Sequence, residues 1–274
     1  MIPARTVLLC AGAIHSPAIL LRSGLGDAAA LKELGIEVVR DLPAVGRHFM
    51  DHPIVRMTLP LRPEAISANP DQRHTNCCVT YSSGLAGGGR RDMILIGFNH
   101  RGLGQGGLPN TQGGIGAALF NAFSRGHVAL ASADPAANPV VEENMLDDPR
   151  DRERMRDALK RLGALAAHPA LTAIANPISF AETGMGFPDV LALSAAEQDA
   201  LLLEQAADIQ HAAGTCRMTA YEDPRGVVDP DLGVKGVPGL FVADASIMPA
   251  DCRANTHFTC VAIGLMAARR VAAA

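Results

Sequence analysis

Ile54-Val55-Arg56-Met57-Thr58-Leu59-Pro60-Leu61, Asn76-Cys77-Cys78-Val79-Thr80-Tyr81, Met93-Ile94-Leu95-Ile96-Gly97-Phe98-Asn99 and Ile115-Gly116-Ala117-Ala118-Leu119-Phe120-Asn121 are four apolar, β-prone runs in succession. Proline-, glycine- and serine-rich turns separate them, and no helix intervenes. Strands that follow one another without crossover helices pair as an antiparallel sheet, which makes the fold class α+β. The loops Ser82–Arg91 and Gly102–Gly114 are glycine-rich. Gly87-Gly88-Gly89 follows a strand but opens no helix, so it reads as a flexible hairpin and not a phosphate loop.

Downstream of the sheet, Asp147 to Ala167 is a charged amphipathic helix whose apolar stripe is Met155, Leu159, Leu162 and Leu165. Gly184–Gly186 and Pro188 read as a loop. Ser194 caps a helix running to about Glu204.

Upstream, Thr6 to Ala11 reads as a buried strand with Gly12 at its end. A chain that opens inside a core strand looks like part of a larger fold. Ser16 before Pro17 reads as an N-cap with proline at the first helical position, and Gly24 stops that helix. Asp27 to Leu34 is a second short helix ended by Gly35, and Ile36 to Val39 a strand. His48-Phe49-Met50-Asp51-His52 is similar to the H-x-x-E-H zinc peptidases. Gly46 and Pro53 leave little room for the helix such a site needs, so a turn whose Asp51 and His52 bond to nearby backbone is preferred.

Composition narrows the function classes. A formal charge of −4 provides no basic face, so nucleic acid and anionic membranes are not expected partners. No apolar run approaches the roughly 20 residues of a membrane span. Met1 to Arg5 shows no leader, and the six cysteines form no CxxC pair, so buried thiols in a reducing, cytoplasmic setting are expected. The absence of Trp speaks against a base- or sugar-stacking surface. No G-x-S-x-G elbow suggests a hydrolase.

The chemistry concentrates in Gln210-His211-Ala212-Ala213-Gly214-Thr215-Cys216-Arg217-Met218, Leu240-Phe241-Val242-Ala243-Asp244-Ala245-Ser246-Ile247-Met248-Pro249 and Asn255-Thr256-His257-Phe258-Thr259-Cys260, the last opening a helix to about Val271. Alcohol oxidation by hydride transfer removes a hydroxyl proton, and an imidazole suits that task near neutral pH. A second group must hold the substrate oxygen as it gains charge. Taken singly, His211 reads as a structural histidine, Asp244 as a turn cap, Cys216 as a packed thiol and Met218 as core.

Six segments together resemble the glucose–methanol–choline (GMC) oxidoreductases. They are Gly12-Ala13-Ile14-His15-Ser16-Pro17-Ala18-Ile19-Leu20-Leu21-Arg22-Ser23-Gly24-Leu25-Gly26; the stretch ending Asp51-His52-Pro53; Ser124-Arg125-Gly126 through Asn144-Met145-Leu146; His211-x-x-Gly-Thr-Cys-x-Met218; and the Asp244 and His257 segments. Met145 replaces the family's usual Tyr. The resemblance implies FAD as cofactor, His211 as base and His257 as the group on the substrate oxygen. It implies flavin contacts at Ala11, Gly12, Asp244, Ala245, Asn255, Phe258 and Thr259, with Asp244 on ribityl hydroxyls and the Phe258 and Thr259 amides facing the flavin's pyrimidine edge.

The implied domains are 1–53, a remnant of an FAD-binding α/β domain; 54–205, a substrate-binding domain holding the antiparallel sheet; and 206–274, a return to the FAD-binding domain. Such an enzyme carries G-x-G-x-x-G between its first strand and first helix, and the turn after Thr6–Ala11 does not. Two readings stand. One is the C-terminal half of an FAD-dependent alcohol oxidoreductase that needs its N-terminal half. The other is a non-catalytic truncated remnant or binding module.

Overall fold

A computed structural model of the chain describes residues 4–67, 69, 73–99 and 111–273, with side chains as far as Arg270. Residues 102–110 of the glycine-rich loop and residues 1–3 lie outside the described residues. Along the first half run β1 (Val7–Leu9), α1 (Gly12–Arg22), β2 (Leu25–Gly26), α2 (Ala28–Glu33), β3 (Arg40–Asp41), β4 (Arg47–Phe49), β5 (Pro53–Pro60), β6 (Thr75–Tyr81), β7 (Met93–Phe98) and β8 (Gln112–Leu119). Then follow β9 (Gly126–Ala129), β10 (Val140–Glu142), α3 (Pro149–Ala166), α4 (Pro169–Thr172), β11 (Ser179–Phe180), α5 (Phe187–Ala192), α6 (Ala195–Gln205), β12 (Ala207–Asp208), β13 (Leu240–Val242) and α7 (His257–Ala273). The class is α+β.

Two compact units emerge. One gathers Met1–Asp51, Ser124–Met145 and Gln210–Ala274; the other holds His52–Phe123 and Leu146–Ile209. Residues 124–145, expected inside the middle domain, therefore cluster with the terminal segments. Their strand β9 pairs with β4, and β10 with β9, in one antiparallel sheet.

The second unit is built on the predicted strands. These four, β5 to β8, are joined by the unforeseen two-residue strands β11 and β12 and pair in the order β11-β5-β8-β7-β6, every neighbour antiparallel, with β12 also on β5. Alternation gives the sheet two apolar faces. Val55, Met57, Leu59, Met93, Ala117 and Leu119 pack with Met155, Ala158, Leu159 and Leu162 of α3, while Ile54, Ile94, Ala118 and Phe120 form a separate cluster. Asp148 caps α3 by accepting from the Arg150 amide, with Pro149 in the first turn. Ser194 and Glu197 form a full capping box on α6. Pro188, read as loop, sits in the first turn of α5, where its missing N–H has no helical acceptor to lose.

The Gly87–Gly89 hairpin is more than a flexible link. A Cβ on Gly88 would lie 2.1 Å from Asp92 Oδ2 and 2.7 Å from Arg154 Nη1. The glycine leaves room for an ion network of Arg154, Asp92 and Asp151, all fully buried.

In the first unit β1 pairs in parallel with β13, Leu8 opposite Phe241. The expectation of a buried strand is corrected: Val7 and Leu8 are 44 % and 40 % exposed. Two strands make no layered sheet, and no described residues cover that face. Ile36–Val39 is not a strand either. The amides of Val39 and Arg40 both donate to the Gly24 carbonyl, and only β3 pairs, with β2.

Helix α1 starts at Gly12, so the reading of Ser16-Pro17 as its N-terminus is also corrected. Pro17 sits inside the helix and cannot donate to Ala13, a defect that usually costs about 3 kcal/mol. Thr215 offsets it: its buried Oγ1 donates to the Ala13 carbonyl at 2.5 Å. The threonine of the Gly-Thr-Cys motif thus satisfies the Ala13 carbonyl that the proline of the Ser-Pro motif leaves without its helical donor, 202 residues away in sequence. Replacing Thr215 by valine keeps the shape and removes the donor. We expect a loss of about 1–3 kcal/mol in urea unfolding, the usual penalty for an orphaned buried carbonyl. An unchanged midpoint would show that water replaces the hydroxyl.

Candidate active site

The His211–Met218 segment is held on two sides. The amides of Gly214, Cys216 and Met218 donate to the carbonyls of Ala245, Ser246 and Ile247 at 3.1, 2.8 and 2.8 Å. On the other side Ala213 and Met50 exchange both backbone bonds, at 2.9 and 3.0 Å. Gly214 has φ +86°, and a Cβ there would lie 2.5 Å from Met50 Cε and 2.6 Å from the His48 carbonyl, so no other residue fits.

His211 is 8 % exposed. Its backbone N–H donates to Asp51 Oδ1 at 3.0 Å, and Gln210 before it adopts φ +63°. Asp51 was expected to serve a local turn; instead it anchors a residue 160 positions away. His52 is fully buried, its ring 4.6 Å from that of Phe120. His48 lies in strand β4 with φ +66°. The helix that such a zinc site needs is absent, since residues 47–49 and 53–60 are strands β4 and β5. Among the described residues no His, Cys, Asp and Glu cluster is placed to hold a metal. Burial, with the charges of Arg125 and Arg217, lowers the His48 pKa to about 4 and leaves it neutral at neutral pH.

Asp244 follows β13 and reaches the start of α1. Its Oδ2 accepts from the Gly12 amide at 2.9 Å and from Ser16 Oγ at 2.5 Å, and its Oδ1 from the Ser246 amide at 2.8 Å. The turn-cap reading of Asp244 therefore holds, across the chain as well as locally. A carboxylate has about four acceptor positions, so capacity remains for one outside donor. Ala11 is exposed and Gly12 half-buried; Gly12 has φ +79° and nothing within 4 Å of where a Cβ would stand. Ala245 is buried in the 3-10 turn Ala245–Ile247.

Helix α7 begins at His257, preceded by the exposed Asn255, and the Cys260 amide closes its first turn on the Thr256 carbonyl at 2.9 Å. His257 and Phe258 are exposed, Phe258 to 82 %, with their rings edge to face at 5.3 Å; Thr259 is half-buried. The two histidines differ: His211 is enclosed and anchored through its backbone, His257 stands open at a helix start. Their segments meet through their neighbours. Ala213, two residues after His211, and Cys260, three after His257, pack in one cluster with Met50, Ala245 and Met248. Cys216 is buried, and burial pushes its thiol pKa well up, as suits a packed thiol. The sequence reading missed Ser16, Thr215, Met50 and the distant role of Asp51. Only Pro17 inside α1 signalled a need for a tertiary donor.

Two family models match the chain, both described as GMC oxidoreductase: an N-terminal one over residues 1–54 and a C-terminal one over 122–264. The 5-(hydroxymethyl)furfural oxidase of Methylovorus sp. (strain MP688) is 35 % identical over 93 % of this chain and 48 % of its own length. Choline oxidase of Arthrobacter globiformis is 33 % identical over 94 % of this chain and 47 % of its own. The crystal structure of pyridoxine 4-oxidase from Mesorbium loti superposes with a TM-score of 0.81 at 26 % identity, covering 97 % of this chain and 51 % of that one. The chain spans about half the length of the curated relatives it matches. Among the described residues no helix is long and apolar enough to cross a membrane.

Proposed function

We propose, for a chain that belongs to the GMC oxidoreductase family, the role of the C-terminal half of an enzyme that oxidises an alcohol CH–OH group. The observation that carries this reading is the shared cluster joining the His211 and His257 segments beside Asp244. His211 takes the hydroxyl proton. His257 holds the substrate oxygen while charge builds there. Relatives named for 5-(hydroxymethyl)furfural and for choline support a small alcohol as substrate.

Members of the family are FAD-dependent flavoproteins, and FAD when bound accepts the hydride. The residues present suit the flavin end of that cofactor. The open backbone at Ala11 and Gly12 admits close approach, and Asp244 keeps acceptor capacity for a ribityl hydroxyl. The Phe258 and Thr259 amides lie in the first turn of α7, where N–H groups have no helical acceptor. Asn255 borders the same turn. The first unit is accordingly the FAD side, and the sheet unit the substrate side.

The turn between β1 and α1 carries no G-x-G-x-x-G cradle for a pyrophosphate. Val7, Leu8, Phe258, Val261 and Leu265 stand exposed on the FAD side. Both features support a need for an N-terminal half. The purified chain alone is expected to bind FAD weakly or not at all and to turn over no alcohol. A dialysed sample with one flavin absorbance equivalent per chain would defeat this; co-expression with a family N-terminal half should restore flavin and alcohol oxidation.

A further inference from the structure

Strand β6 is the outer strand of the six-stranded sheet. Its sequence is Thr75-Asn76-Cys77-Cys78-Val79-Thr80-Tyr81, and its only strand partner among the described residues is β7. The first six residues are exposed, Val79 to 59 %. Natural edge strands are guarded by lysine, proline, inward charge or shortness. This one has seven residues, no charge and no proline. The opposite edge of the sheet is formed by two-residue strands, β11 and β12, and is guarded by that shortness.

We propose that β6 pairs antiparallel with β6 of a second copy of this chain, joining two sheets across a twofold axis at Cys78. A twofold interface must be self-complementary, each residue meeting one that meets it in return. An antiparallel register centred on Cys78 sets Thr75 against Tyr81, Asn76 against Thr80 and Cys77 against Val79. Every pair is polar with polar or small apolar with apolar, and no like charges meet. A partner recognised by charge would find nothing here to read. Within the strand the side chains alternate. Cys78 and Thr80 share the face of Ile96 and Ile94, while Cys77, Val79 and Tyr81 share that of Leu95 and Met93. A copy in this register therefore continues both faces without a break.

Light scattering on the chain should give a mass near twice 28.6 kDa at high protein concentration, falling on dilution. A short bis-maleimide should cross-link the dimer through Cys78, identified by peptide mass spectrometry. Val79→Lys places two ammonium groups on one face near the axis and should weaken the dimer at least tenfold. Val79→Thr, a strand former without charge, should keep it. A monomer at every concentration overturns the proposal. So does a dimer that survives Val79→Lys, or one cross-linked elsewhere, for example at the exposed face of α7. Circular dichroism identical among the three proteins excludes unfolding as the cause of the Val79→Lys result.

Discussion

Changing His211 to glutamine, in the chain joined to a family N-terminal half, is expected to lower kcat/KM by about 10²–10⁴-fold, the usual contribution of a positioned general base. Glutamine cannot take the hydroxyl proton at neutral pH, so the loss should fall mainly on kcat. The fold should survive, because the bond to Asp51 uses the backbone N–H of residue 211, which the substitution keeps. Flavin content should also be unchanged, since the proposed flavin contacts lie on Ala11, Gly12, Asp244 and α7. The pH profile separates base from scaffold: the fall in rate at acid pH, where the imidazole protonates, should vanish in the variant. A decrease below tenfold with full flavin content would remove His211 from the role of base.

Replacing Arg154 by methionine should destabilise the sheet unit by about 3–5 kcal/mol. The guanidinium is fully buried between two fully buried carboxylates. It donates to Asp151 Oδ1 at 2.5 Å and to Asp92 Oδ2 at 3.4 Å, and both Nη atoms reach the Asn121 carbonyl. The carboxylates bind backbone too: Asp151 accepts the Phe123 amide, and Asp92 the Ser83 amide and hydroxyl. Removing the cation leaves two buried anions without their shared counter-charge, a large share of the 5–15 kcal/mol a domain typically holds. Urea unfolding followed by circular dichroism measures it, the chain having no tryptophan. Arg154→Met with Asp92→Asn should recover part of the loss by removing one anion. A loss under about 1 kcal/mol would mean that water reaches the network.

The two predictions differ in how far the sequence foresaw them. His211 is legible in the sequence, because Gly-Thr-Cys-x-Met behind it matches a family pattern. Arg154 was invisible. In Asp151-Arg152-Glu153-Arg154 the helix face reads as solvated, and nothing local says that Asp92, 62 residues away, and the bare backbone of Gly88 close over it. Ser16-Pro17 misled for a related reason. Proline after serine signals a helix start wherever no distant donor relieves the lost bond, and here Thr215 does.

By itself the sequence determined what depends on local period and composition. Alternating apolar runs produced the four strands β5 to β8 and hence the α+β class. Capping chemistry located α6, and an apolar stripe located the buried side of α3. Resemblance to the family's motifs singles out the segments around His211, Asp244 and His257. Tertiary structure alone decided which distant polar groups satisfy one another: Asp244 on the start of α1, Thr215 on Ala13, Asp51 on His211, and two aspartates on Arg154. It alone also divided the two histidines into one enclosed and one open. The physical reason is that periodicity is written in neighbours along the chain, whereas a buried donor or charge must be matched by whichever group the fold brings near, and that pairing leaves no regular spacing to read.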